Sequence, residues 1–278
     1  MSILIAALLG LVQGITEFLP ISSSGHLSVL QNLFHMQSVK KVDIFFEVLL
    51  HLATLISISV VYWQDIVDMI KEFIGFFADI RHPKPDESVP KPARRLVFMI
   101  IIATLPLFLV LPFKDYIEDL ANNTYFIGAA FLITGAVLYI SDRLPKGRKS
   151  EKNMTVVDAA KIGICQVIAT LPGISRSGST IAAGMATGLN RTFAVKFSFL
   201  MSLPAVLGAT IVGFADALKE GIDATRIPEY LVGMAVAGVT GYFAINLVKT
   251  LSQKGKFGKF CYYCFAAGII TIVLTIIL

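Results

Sequence analysis

Leu19-Pro20-Ile21-Ser22-Ser23-Ser24-Gly25 recurs later in the chain, with one glycine inserted, as Leu171-Pro172-Gly173-Ile174-Ser175-Arg176-Ser177-Gly178. The match extends upstream, since Gln13 precedes Ser22 by nine residues and Gln166 precedes Ser175 by nine. Each stretch interrupts an apolar segment, 2–36 in the first case and 156–190 in the second. Glu17, Pro20, three serines and His26 break the first; Pro172, Gly173, Arg176 and several hydroxyls break the second. Charged and helix-breaking residues at membrane depth cannot face lipid, and are tolerated only where backbone is buried in protein or lines a wet cavity. Both segments therefore read as re-entrant helix–turn–helix hairpins.

The rest of the chain says what surrounds them. Of 278 residues, 55% are hydrophobic and only 15% charged, against roughly 25% charged in soluble domains. A chain this poor in charge needs lipid to cover much of its surface. Apolar runs of crossing length fall at 43–63, 96–112, 124–141, 192–215, 229–247 and 260–278, since a helix needs roughly 17–25 residues to span. The connectors sort by charge. Segments 81–95, 143–152 and 249–259 each hold four or five Lys and Arg, whereas the other two connectors hold Lys114 on one and Lys219 and Arg226 on the other. The positive-inside rule puts the three basic connectors in the cytoplasm and both termini outside. Segment 65–80 reads as an amphipathic interfacial helix. Residues 1–12 carry no Lys or Arg, so no removable secretory signal is expected. Cys165 stands alone, and Cys261 and Cys264 read as small buried hydrophobes.

The expected fold class is thus an all-α polytopic membrane protein, six transmembrane helices plus two hairpins. Residues 1–278 form one membrane domain, with repeat 1 at about 1–141, a cytoplasmic connector at 142–155 and repeat 2 at about 156–278. Each repeat is a hairpin followed by three crossings. Three is odd, so the second copy starts on the opposite side, which is an inverted-topology repeat whose hairpin tips meet near the midplane.

The tips carry the candidate chemistry. Ser at a helix start caps free N–H groups, and a phosphate can sit there instead, held by those N–H groups and the helix dipole. Ser22, Ser24, Gly25, Ser175, Ser177, Gly178, Thr180 and Gln13 are the candidate substrate-binding residues. Arg176 has a fork suited to phosphate or to an ion pair with Glu17. Gln13 and Glu17, four apart on one helix face, could hold a divalent cation, or Glu17 could orient a base. His26 is either a proton shuttle or a satisfied interior histidine. Ser23, at the position Arg176 takes in the second hairpin, is either a nucleophile or a helix cap. Glu47 and His51 read as a structural polar pair on the first span.

At these residues the chain resembles a known family, the undecaprenyl-diphosphate phosphatases or bacitracin-resistance proteins. The family's first motif is Glu or Gln, three residues, Glu, then a Ser-rich turn and His; here it reads Gln13-Gly-Ile-Thr-Glu17-Phe-Leu-Pro-Ile-Ser-Ser-Ser-Gly-His26. The second is Pro-Gly-x-Ser-Arg-Ser-x-x-Thr, here Pro172-Gly-Ile-Ser-Arg-Ser-Gly-Ser-Thr180. The resemblance covers the whole chain. It implies hydrolysis of undecaprenyl diphosphate to undecaprenyl phosphate and inorganic phosphate, which recycles the lipid carrier for peptidoglycan and confers bacitracin resistance. It further implies a site facing the outer side of the bacterial cytoplasmic membrane and a divalent cation, Mg2+ or Ca2+, at Glu17 and Gln13. Glu17, Ser23, His26 and Arg176 carry over as catalytic, with Thr180 beside them. Gln13 takes the uncharged form of the first motif position, so this helix supplies one carboxylate rather than two. The expected partners are a polyprenyl diphosphate and membrane lipid, with no nucleic acid; a homodimer is left open. The competing class is a transporter or flippase for a lipid phosphate or other anion, because broken helices in inverted repeats also build transporters.

Overall fold

In the computed structural model, which describes residues 2–33, 44–81 and 92–277, every long element is a helix. Parts of the sequence reading lie outside those residues: the end of the first hairpin at 34–36, residue 43 of the first span, residue 278 of the last, and 82–91 of the first basic connector. Helix α1 (Ile3–Phe18) starts at Ser2, whose Oγ accepts the Ile5 N–H at 3.3 Å. It stops where Leu19 turns extended before Pro20, as a residue preceding proline is pushed to do. Helix α2 (Ser23–Leu33) follows that turn. The second hairpin is built alike. Helix α8 (Val156–Ile168) opens on a capping box between Thr155 and Asp158, and α9 (Arg176–Ala186) follows the Pro172–Gly173 turn.

Six stretches are long and apolar enough to cross a membrane. They are α3 (Ile44–Val61), the compound segment Pro92–Leu120, α7 (Thr124–Ser141), α10 (Arg191–Glu220), α11 (Ile227–Gln253) and α12 (Phe260–Ile277). The second is α5 (Pro92–Thr104), a 3-10 stretch over Leu105–Phe113 holding Pro106 and Pro112, and α6 (Lys114–Leu120). Bulky side chains such as Leu4, Phe108, Leu109, Phe243 and Ile276 are more than half exposed. Water would penalise that surface and lipid would not, so the chain is a multi-pass membrane protein. Helix α4 (Trp63–Arg81) lies between α3 and α5 with Ile70, Ile74 and Phe77 exposed. Arg94 of α5 bonds Asp79 of α4 at 2.6 Å and Glu72 at 3.3 Å.

Each hairpin packs one face of its first helix against these spans and leaves the other face exposed, as at Leu4 and Leu8 of α1 and Ile164 and Ile168 of α8. α1 packs on α11 so closely that a Cβ on Gly10 would lie 2.3 Å from Gly233 O, and one on Gly14 would lie 2.4 Å from Ala237 O. α8 packs on α5 in the same way, a Cβ on Gly163 falling 2.5 Å from Ala103 O. α3 packs on α10 and α7 on α12. The two tips touch: Ser177 Oγ donates to Leu19 O at 3.2 Å, and Gly25 has room for no Cβ against Gly173 Cα. Basic connectors meet on one side of the bundle. Arg95 donates to Met154 O at 2.6 Å, Arg191 pairs with Asp142 at 3.5 Å, and Asp142 accepts the Gly258 N–H at 2.8 Å. Lys114 and Asp216 meet at 3.3 Å in a separate group. Helix α10 runs through Pro204, which has no N–H and so frees the carbonyl one turn back at Leu200.

Candidate active site

Two adjacent serines divide the labour at the first tip. Ser22 adopts φ +69°, a left-handed conformation that costs a non-glycine residue roughly 1–2 kcal/mol. Its Oγ accepts the Gly25 N–H at 3.3 Å, so Ser22 is the residue that caps α2. At the second tip Ser175 Oγ accepts the Gly178 N–H at 3.1 Å, and the inserted Gly173 takes the positive φ instead. Capping by Ser22 leaves Ser23 free of that duty. Its Oγ donates to Glu17 Oε2 at 2.7 Å.

Glu17 is where the two hairpins join. Its side chain is 7% exposed. Arg176 Nη2 bonds Oε1, while Ser23 Oγ and Gln13 Nε2 (3.2 Å) both donate to Oε2. A carboxylate only accepts, so the Gln13 amide must present its NH2, and its Oε1 is left buried without a partner among the described residues. The ion pair neutralises both charges in a largely buried setting where either alone would be costly. One terminal nitrogen of Arg176 serves Glu17; its remaining donors have no protein partner among the described residues, and its side chain is 24% exposed. That exposure opens onto a cavity of about 300 Å³ lined by Glu17, Ser22, Ser23, Ser24, His51, Ser175, Arg176 and, from α10, Ala205, Val206 and Ala209. A second cavity of about 410 Å³ adjoins it, sharing Ser23, Ser24, His51 and Thr170 and adding Gln13, Glu47, Glu118 and Asn122. Hydroxyls, two helix starts and a guanidinium lining one cavity suit a phosphoryl group.

The structure brings Glu17, Ser22, Ser23, Ser24, Ser175 and Arg176 to the first cavity and Gln13 to the second. It places the other expected residues elsewhere. His26 lines neither cavity. Its Nδ1 donates to Ser22 O at 2.6 Å, its Nε2 meets the Tyr263 hydroxyl at 2.6 Å, and its ring stacks on Tyr263. Thr180, one turn inside α9, bonds Ser198 Oγ of α10 at 2.6 Å. Ser177, Gly25 and Gly178 make the contact between the tips. His51 and Glu47, expected as a side-chain pair, are joined through backbone: His51 Nδ1 donates to Glu47 O at 2.9 Å. Sequence reasoning missed His51 as a lining residue, and missed Thr170, Tyr263 and the small residues after Pro204; the proline inside an apolar run was the one signal for the last of these.

Gln13 and Glu17 do not fit a resident divalent cation as they stand. Such a cation takes six or more oxygens. Both Glu17 oxygens already hold donors, and Gln13 Oε1 is a single neutral oxygen. Among the described residues no group of three His, Cys, Asp or Glu side chains converges to hold a metal.

Residues 6–270 match the family model described as bacitracin resistance protein BacA. The chain is 39% identical over 282 residues to the undecaprenyl-diphosphatase of Methanosphaera stadtmanae, covering 100% of both chains. It is 39% identical to that of Alkaliphilus metalliredigens, over 98% of each, and 40% identical to that of Methanobrevibacter smithii, over 97% of this chain and 96% of the relative. A match along the full length, with both tips and the ion pair between them inside it, means that this chain belongs to the BacA family of bacitracin resistance proteins.

Proposed function

We propose that this protein hydrolyses undecaprenyl diphosphate to undecaprenyl phosphate and inorganic phosphate, recycling a lipid carrier for cell-wall precursors and so conferring bacitracin resistance. The observation that carries this reading is the Glu17 carboxylate, bonded at once to the Ser23 hydroxyl and to Arg176 beside a cavity lined by two helix starts. Arg176 and the N–H groups at the starts of α2 and α9 hold the phosphoryl oxygens, where charge develops as the bond to the leaving oxygen breaks. Ser23 Oγ attacks the terminal phosphorus as Glu17 takes its proton. The bridging P–O bond breaks, its electron pair leaves with the lipid phosphate, and water then releases phosphate from the serine. A divalent cation, with no resident donor set among the described residues, would supply charge neutralisation for the substrate's phosphates.

The hairpins are further read as re-entrant halves of an inverted repeat. Support comes from corresponding contacts: Gly10 and Gly163, each three residues before its glutamine, press on α11 and α5, and each tip carries a pair of hydroxyls at 3.3 Å, Ser22 with Ser24 and Ser175 with Ser177. If the joined basic connectors are read as cytoplasmic, the bond from Asn32 to Ala121 O at 2.9 Å supports an outer-side base for the first hairpin, where the substrate's head group would be met.

Detergent-purified protein tests the activity. Release of inorganic phosphate from a polyprenyl diphosphate is expected. A monodisperse protein that releases none, yet moves a lipid phosphate between leaflets of a vesicle, would make it a transporter instead.

A further inference from the structure

Hydrolysis of a phosphorylated serine needs a group to take a proton from water, and the first hairpin does not supply one. Glu17 carries the serine's own proton at that stage. His26, beside the serine turn in sequence, has both ring nitrogens engaged: a carbonyl oxygen only accepts, so Nδ1 must donate to Ser22 O, and Nε2 is taken by the Tyr263 hydroxyl. His51 is arranged the other way. Its Nδ1 donates to Glu47 O at 2.9 Å, which fixes the tautomer and leaves Nε2 as a lone-pair acceptor with no partner among the described residues. His51 stands with Ser23 at the junction of the two cavities.

We propose that His51 is the catalytic residue that accepts a proton from the attacking water. The proposal rests on the phosphatase reading above. Water enters through the larger cavity. His51 Nε2 takes one of its protons as its oxygen bonds to phosphorus. The bond from phosphorus to Ser23 Oγ breaks with its electron pair on Oγ, and Glu17 returns the serine's proton there. His51 then gives its proton to the cavity as phosphate departs. Groups that face it from the packed elements are Glu17 of α1, Arg176 of α9, Glu118 of α6 and Glu47 on its own helix; α10 contributes Ala205, Val206 and Ala209, and α11 presents Tyr230 against Phe45 and Phe46.

The test compares wild type, His51→Gln and His26→Gln in detergent, measuring phosphate release against pH, substrate binding, and phosphate trapped on serine after rapid quench. General-base catalysis contributes roughly 10²–10⁴-fold, so His51→Gln is expected to lose about a hundredfold or more in turnover. It should bind substrate normally, accumulate phosphoserine, and lose the fall in rate toward acid pH. His26→Gln should keep that acid limb. Near-normal turnover by His51→Gln with the acid limb intact would overturn the proposal while leaving the phosphatase reading untouched. Absence of phosphate release from wild type would instead remove the phosphatase reading. If His51→Gln cannot be purified, His26→Gln decides alone: an acid limb retained supports His51, and an acid limb lost assigns the proton to His26.

Discussion

Ser22 and Ser23 are neighbours with different bonds, and exchanging their side chains separates architecture from chemistry. Ser23 makes one hydrogen bond, to a carboxylate at 2.7 Å. Such a bond is worth about 1.5–3 kcal/mol when fully made; Ser23 is only part-buried, so Ser23→Ala should cost the fold about 1 kcal/mol. Turnover should fall much further, by a thousandfold or more on the order of magnitude set by removing a serine nucleophile. Ser22→Gly reverses the pattern. It removes a capping hydroxyl, at a cost of a few tenths of a kcal/mol for glycine, and relieves the roughly 1–2 kcal/mol of strain at φ +69°. Stability should hold or rise while turnover falls modestly. The assays are phosphate release at saturating polyprenyl diphosphate, thermal unfolding in the same micelles, and a rapid quench for phosphoserine. If Ser23→Ala keeps turnover within about tenfold of wild type, the lower end of what one lost bond to a carboxylate is worth, then Ser23 is not the attacking group and water attacks directly.

Three further outcomes are expected. Arg176→Lys keeps the charge but not the fork that serves Glu17 and the phosphate together, so turnover should drop tenfold or more, about 1.5–3 kcal/mol; a Lys enzyme at normal rate would reduce Arg176 to a structural ion-pair partner. Single cysteines at Asn122 and Ser150, both on connectors, should label from opposite faces of sealed vesicles, Asn122 from outside, and labelling from one face would sink the inverted repeat. A chelator should slow hydrolysis, with Mg2+ restoring it, yet leave the melting temperature of substrate-free protein unchanged; a chelator-induced drop in melting temperature would reveal a resident cation and contradict the donor count at Glu17.

The spans were legible because lipid imposes a length and an apolar composition that a linear reading detects. The 124–141 span matches α7 residue for residue. Ends drift elsewhere for local reasons: α10 starts at the Asn190 cap and runs to Gly221 at φ +92°, well beyond the apolar run that announces it. The tips were legible as polar breaks, and their ion pair was one of the readings weighed for Arg176. What could not be read was the division between neighbours. Ser22 and Ser23 differ by one residue and by a backbone angle that no composition encodes. His26 was misleadingly close to Ser23 along the chain, whereas one helical turn carries it toward Tyr263 of α12. His51 reaches the cavity from another helix, a juxtaposition that only tertiary packing creates.

The Glu17–Arg176 pair has a bearing on which lipids the protein ignores. A membrane offers phosphate-bearing head groups in vast excess over any diphosphate carrier. In the resting protein the guanidinium already faces a carboxylate across the hairpin contact. An ordinary phospholipid, with a singly charged and doubly esterified phosphate, brings only two unesterified oxygens to the unused donors of Arg176, and gains little at a guanidinium whose charge Glu17 already balances. A terminal diphosphate brings more negative charge and more oxygens, enough to engage the unused donors of Arg176 and both helix starts while Glu17 stays where it is. The internal anion thus acts as a tenant that common lipids cannot evict and the substrate does not need to.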